Sequence, residues 1–247
     1  MPSFQHGPVE IAYLDEGEGD PIVLVHGFAS NKEINWSYPG WVTALNGRRV
    51  IALDNRGHGQ SSKLYEPAEY HLRRMTEDVR ALLDHLGIER ADVMGYSMGA
   101  RITVFLAHDH PERVRSAIFG GLGSVLLTGG LSENIADALE APSLAQVTDP
   151  VGRTFRQFGE QTRSDLKALA ACLRGSRQRM TEEEAAAIGV PVLIAVGTKD
   201  TVAGNPHDLA RLIPGAQVLE IPNRDHMLAV GDRTYKAGVV KFLRERP

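Results

Sequence analysis

The stretch Val93-Met94-Gly95-Tyr96-Ser97-Met98-Gly99-Ala100-Arg101 sets one serine midway between two glycines, behind an apolar run and ahead of a helix-forming one. An ordinary strand-to-helix turn needs one glycine at most. Glycines at both i−2 and i+2 of Ser97 indicate a backbone so tight that side chains there would collide. In such a turn the serine takes a strained conformation, and its Oγ projects at the N-terminus of the following helix. Free N–H groups and the helix dipole favour a developing negative charge at that point. The pentapeptide therefore reads as a nucleophile elbow.

The elements on either side supply the context such a turn requires. Largely apolar runs at 22–25, 50–53, 91–94, 117–119, 192–196 and 218–221 each stop at turn residues. Strands apolar on both faces belong in a parallel sheet covered by helices on each side. Helical stripes lie between them. Residues 75–86 carry Met75, Val79, Leu82, Leu83 and Leu86 on one face with Gly87 as the stop, 99–108 end before Pro111, and 234–244 form a last amphipathic helix. Phe4-Gln5, the turn His6-Gly7-Pro8 and residues 9–14 read as an N-terminal antiparallel hairpin. The expected fold is α/β, a mostly parallel doubly wound sheet.

One region breaks the alternation. Residues 126–188 show no convincing strand, only short helical pieces with cap signals at Ser132, Asp149-Pro150, Ser164 and Thr181 with Glu184. This reads as a small helical cap inserted into a core formed by 1–125 and 189–247.

Bulk properties are those expected of a soluble globular protein. A chain of 247 residues buries enough apolar surface to need no staples, and 43% hydrophobic with 23% charged residues is ordinary. The net charge of −4 gives no basic footprint for nucleic acid. No apolar run approaches the roughly 20 residues of a membrane helix, and the N-terminus has no charged and apolar leader pattern. The lone Cys172, set among Leu169, Ala170, Ala171 and Leu173, reads as a core residue in a reducing compartment. The expectation is a cytoplasmic protein with no membrane span. The sequence does not decide between monomer and homo-oligomer.

A serine hydroxyl needs a base. His226 lies just past the last expected strand, and Asp200 closes Gly197-Thr198-Lys199-Asp200 just past the one before. Ser97, Asp200 and His226 thus fall at the carboxyl ends of three strands, the edge where open parallel sheets bind ligands. Asp200 would orient the imidazole, and His226 would take the serine proton and return it to the leaving group. Asp225 is expected to point elsewhere, and Asp232 sits near the last helix. His108-Asp109-His110 reads as a helix end, so neither metal nor cofactor is expected. An oxyanion hole needs two backbone N–H groups, assigned to Met98 and, in the loop after 22–25, to Phe28 beside Gly27.

These motifs together resemble the α/β-hydrolase superfamily over nearly the whole chain. His26-Gly27, Asp54-Asn55-Arg56-Gly57-His58-Gly59-Gln60-Ser61, the elbow, Pro111-Glu112-Arg113-Val114, Gly197-Thr198-Lys199-Asp200 and Asp225-His226 recur in the family's order. Asp54, Arg56 and His58 are read as structural. A serine nucleophile disfavours the branches that use aspartate. The elbow ends Gly99-Ala100, where many relatives have two glycines.

The resemblance implies a serine hydrolase acting through an acyl-enzyme. Carboxylic esters of small to medium hydrophobic substrates are the leading expectation. Enol-lactones, peracid formation and C–C hydrolysis remain open, as does a non-enzymatic signal receptor on the same fold. Tyr96, Trp36, Leu126, Phe155, Phe158 and Met227 are the candidate substrate contacts.

Overall fold

The structure is a computed structural model that describes residues 2–246. The hairpin β1 (Ser3–His6) and β2 (Val9–Glu16) pairs antiparallel, and β2 lies antiparallel on β4 (Arg49–Leu53). Beyond it the sheet is parallel through β3 (Pro21–Val25), β5 (Ala91–Tyr96), β6 (Val114–Gly120), β7 (Val192–Gly197) and β8 (Gln217–Ile221). The full order is β1-β2-β4-β3-β5-β6-β7-β8. The expected architecture is the observed one.

Strand β6 starts three residues before the apolar run, at Val114, and takes in Arg115 and Ser116. The reason is a polar pairing inside the sheet. Ser116 Oγ donates to the buried Asp92 of β5 at 2.6 Å, and Arg48 and Arg246 neutralise that carboxylate at 2.8 and 2.7 Å. A charge that interrupts an apolar run in sequence is thus satisfied in space.

Helices α1 (Trp41–Ala44), α2 (Leu72–His85) and α3 (Met98–Asp109) follow β3, β4 and β5 respectively. At the end of α2, Gly87 takes φ +64°, the Ile88 N–H reaches Leu83 O and the Gly87 N–H reaches Asp84 O. That is the Schellman stop its sequence indicates.

Between β6 and β7 come α4 (Val125–Thr128), α5 (Asn134–Glu140), α6 (Pro150–Gln161), α7 (Leu166–Gly175) and α8 (Glu182–Ala186). Asp149 and the Thr181–Glu184 capping box start α6 and α8 as expected. The cap of α7 is Asp165, one residue past Ser164. Its carboxylate accepts from two amides, Lys167 and Ala168, at 3.1 and 3.0 Å. Helices α9 (Pro206–Leu212) and α10 (Arg233–Glu245) complete the chain.

Alternate strand residues serve opposite faces. Val23, Val25 and Val93 pack with α2 and α3, whereas Ile22, Leu24 and Met94 pack with Trp41 of α1 and Val239 and Phe242 of α10. Each such buried side chain contributes roughly 1.5–3 kcal/mol. Ile135, Leu139 and Leu169 belong to the first cluster too, so the helices after β6 share apolar packing with the sheet. No helix among the described residues is long and apolar enough to cross a membrane.

Candidate active site

The glycines of the elbow are dictated by backbone. A Cβ on Gly95 would come within 2.1 Å of Gly99 O, and one on Gly99 within 2.0 Å of Val25 O. Only hydrogen fits at either position. Between them Ser97 adopts φ 55° and ψ −113°, a left-handed conformation that costs a non-glycine residue on the order of 1–3 kcal/mol. Its amide is held by Gly120 O at 2.8 Å. The strain thus turns the side chain out of the β5–α3 junction, above the end of the sheet.

Three strand ends converge there. Ser97 Oγ lies 2.9 Å from His226 Nε2, and His226 Nδ1 lies 2.7 Å from Asp200 Oδ2. The other Asp200 oxygen accepts from the Val202 and Ala203 amides at 2.8 and 2.9 Å. Burial opposes ionisation of Asp200. The hydrogen bond and charge of His226, with those two amides, outweigh it and hold the carboxyl below the usual carboxylate range. An ionised Asp200 fixes the proton of His226 on Nδ1 and leaves Nε2 to accept from Ser97. The neighbouring acids are engaged elsewhere. Asp225 accepts from the Met227 and Leu228 amides, and Asp232 caps α10 while pairing with Arg224.

The loop after β3 is stitched into place beside this centre. His26 donates from Nδ1 to Gly27 O at 2.8 Å and accepts the Asn55 amide on Nε2 at 2.9 Å. Asn35 Oδ1 accepts the Gly27 N–H, and Gly27 passes so near the elbow that a Cβ would lie 3.4 Å from that of Ser97. Among the described residues, neither the Phe28 nor the Met98 amide finds an acceptor. Two free N–H groups therefore flank the serine, and both residues line the cavity beside it.

The 54–61 loop is scaffold. Asp54 is fully buried and accepts from Lys32 Nζ at 2.6 Å and from the Lys32 and Gln60 amides. Arg56 makes a two-pronged contact with Asp78 at 2.6 and 2.7 Å. Burial and the neighbouring His26 push the His58 imidazole down to about 3, so it stays neutral. Cys172 is buried, its Sγ 3.7 Å from Met98 Sδ, and desolvation drives its thiol up to about 12.

Two cavities meet at Ser97. The larger, about 340 Å³, is lined by Tyr96, Phe155, Phe158, His226, Met227 and Leu228 among others. The smaller, about 70 Å³, lies against Met98, Arg101, Leu122, Leu173 and Arg177. Of the candidate substrate contacts, Tyr96, Phe155, Phe158 and Met227 line the larger cavity. Trp36 and Leu126 do not line either. Trp36 is fully buried against Trp41 in the core beyond the loop, and Leu126 points into the apolar cluster below α4. Aromatic and aliphatic residues look alike in sequence whether they pack inward or face a cavity.

The family model described as alpha/beta hydrolase fold matches residues 20–183. The chain belongs to the alpha/beta hydrolase fold family. Within that family it is 34% identical over 227 residues to the dihydrolipoyllysine-residue acetyltransferase component of the acetoin cleaving system of Pseudomonas putida, a match covering 85% of this chain and 59% of that protein. It is 37% identical over 140 residues to 2-hydroxymuconate semialdehyde hydrolase of Pseudomonas putida, covering 54% of this chain and 47% of that one. The matches thus span less than two thirds of either relative. The solved enol-lactonase of Burkholderia xenovorans is similar in fold, with a TM-score of 0.82, 24% identity and coverage of 99% of this chain and 100% of that one.

For this alpha/beta hydrolase, sequence reasoning passed over several supports of the site. The Tyr96 hydroxyl donates to the backbone carbonyl of His226 at 2.6 Å and pins the histidine loop. Lys32 and Asn35 hold the Phe28 loop from behind. Arg101 reaches the smaller cavity. A cation among apolar residues in the first turn of the helix Met98–Asp109, four residues beyond Ser97, was the available signal.

Proposed function

We propose that the protein is a serine hydrolase that cleaves carboxylic esters of small to medium hydrophobic substrates through an acyl-enzyme. The observation that carries this reading is the unbroken relay Ser97 Oγ, His226 Nε2, His226 Nδ1, Asp200 Oδ2, with contacts of 2.9 and 2.7 Å. The Ser97 oxygen attacks the ester carbonyl carbon as His226 takes its proton. The carbonyl oxygen, now an anion, accepts from the Phe28 and Met98 amides, each worth about 3–4 kcal/mol of barrier. His226 then protonates the departing alcohol oxygen, and water repeats the cycle to free the acid and Ser97.

The apolar lining of the larger cavity supports a hydrophobic substrate, and residues 126–188, whose Phe155 and Phe158 face it, are read as a cap. A lactone is an ester whose two products stay tethered, so the same apparatus serves it. The solved enol-lactonase keeps that variant in view as the second reading.

The test is turnover of p-nitrophenyl acetate and butyrate. Wild-type protein should hydrolyse both, and Ser97→Ala should lose up to roughly 10⁶-fold in kcat with its thermal unfolding unchanged. A wild-type protein that binds these esters without cleaving them contradicts the proposal.

A further inference from the structure

Arg101 is 95% withdrawn from solvent, with 5% of its surface exposed, and lines the small cavity that opens on Ser97. Its guanidinium has two partners, both neutral carbonyls. Nη1 donates to Gly129 O at 3.0 Å, and Nη2 donates to Gln178 O. Its Nε–H, fully buried, has no partner among the described residues. The nearest charge that acts on it is another cation, Arg177, which lines the same cavity. Among the described residues Arg177 is held only by Leu131 O at 3.0 Å and, at 3.6 Å, by a mostly exposed Glu133.

A buried guanidinium with no carboxylate beside it is costly, and the usual remedy is a paired anion. Desolvation and Arg177 together lower Arg101 only to about 10, so it remains a cation at neutral pH. Among the described residues no carboxylate pairs with Arg101, and Arg177 has only the mostly exposed Glu133 at 3.6 Å. The missing counter-ion of Arg101 and the second arginine in the same cavity point to an anion that arrives with the substrate.

The geometry fixes which part of the substrate carries it. His226 lines the larger cavity and not the smaller one. Since His226 delivers the proton to the leaving oxygen, the alcohol portion belongs on its side. The acyl portion then enters the arginine cavity. Arg101 stands one turn, about 6 Å, along α3 from Ser97, and helical side chains lean back toward the N-terminus. A cavity of about 70 Å³ holds a short chain and no more. A four-carbon diacid chain sets its second carboxylate three bonds from the ester carbon, which matches that reach.

We infer that the preferred substrates are monoesters of short dicarboxylic acids, whose free carboxylate enters the small cavity beside Arg101 and Arg177 while the ester carbonyl meets Ser97. This rests on the ester-hydrolase reading and names its acyl group. The bonds exchanged are those of ordinary acyl transfer: the Ser97 oxygen displaces the alkoxide, which takes the proton from His226. The distal carboxylate stays unchanged throughout.

Monoethyl succinate and ethyl butyrate differ at one end, carboxylate against methyl, and so isolate the anion. Binding of each to Ser97→Ala protein, followed by calorimetry, reads the cavity without turnover. Monoethyl succinate should bind at least about tenfold more tightly, the range of a charge-assisted hydrogen bond. Adding Arg101→Met, or the more exposed Arg177→Gln should Arg101→Met fail to fold, should abolish most of that preference and leave ethyl butyrate within about threefold. Equal binding of the two esters, or a preference that survives these substitutions, overturns the inference. Ethanol release by wild-type protein is followed in parallel. Selective binding with no ethanol released would contradict the ester reading while leaving the anion site standing.

Discussion

The turns that carry Ser97, Asp200 and His226 and the helices between β6 and β7 meet at one cavity, yet they are held by different forces. At the elbow, backbone contacts of 2.0–2.1 Å to a hypothetical Cβ leave no alternative to glycine. Around it, buried hydrogen bonds tie each catalytic candidate to a second group. Helices α5 to α7 rest mainly on apolar packing among Ile135, Leu139, Leu169 and Leu173, where many residues of similar size would serve, with Arg156 of α6 donating to the carbonyls of Ala138, Leu139 and Ala141 at the end of α5. Directional constraints specify chemistry, and interchangeable packing leaves substrate choice free to vary. The site is rigid where bonds are made and permissive where substrates are told apart.

The contrast makes graded demands. Asp200→Asn keeps the shape of the site but removes the charge that fixes the His226 tautomer. It should lower kcat by about 10⁴-fold, the scale seen for this change in a serine-protease triad, with little change in melting temperature. A drop of less than tenfold would mean that Asp200 is not the orienting group.

Gly99→Ala attacks the backbone directly. Its Cβ would press on Val25 O, so the strand or the helix must move, and stability should fall by more than about 4 kcal/mol in urea unfolding. A fully stable Gly99→Ala protein would contradict the steric account of the elbow.

The third demand concerns acid. Buried His58 is neutral with its value near 3, whereas the unfolded residue titrates at 6.5. Below pH 6.5 the unfolded chain binds a proton that the native fold refuses. The contribution is therefore complete above that pH and is lost as pH falls toward 3, by about 2–3 kcal/mol between pH 7 and 4.5. His26, lowered chiefly by burial, acts in the same direction. Urea midpoints at the two pH values should differ more for wild-type protein than for His58→Gln. Identical differences would contradict the assignment.

The smallest effect belongs to the permissive region. Phe158→Ala enlarges the cavity beside His226 and should cut kcat/KM for acetate esters of longer alcohols by about tenfold while changing ethyl acetate less than twofold. A uniform loss across chain lengths would place Phe158 outside the binding surface.

The same division explains what the sequence made legible. Two glycines at fixed offsets, an aspartate and a histidine just past apolar runs, and the Thr181–Glu184 capping box each answer a local geometric need, so they can be read without coordinates. Runs apolar on both faces marked the parallel strands, and β6 ran longer than its apolar stretch because Ser116 and Asp92 satisfy one another across the sheet. Trp36 and Leu126 show the opposite case. Whether a large apolar side chain turns into the core or into a cavity depends on long-range packing that leaves no local mark. Arg101 lay in plain view beside the serine, but its missing counter-ion is a property of three dimensions.

The most direct trial of the central claim is to treat the protein with a fluorophosphonate and map the adduct by peptide mass spectrometry. The account predicts one phosphonylated residue, Ser97, formed rapidly in wild-type protein, far more slowly in His226→Ala and not at all in Ser97→Ala. An adduct on another residue, or equal labelling after Ser97→Ala, would contradict it.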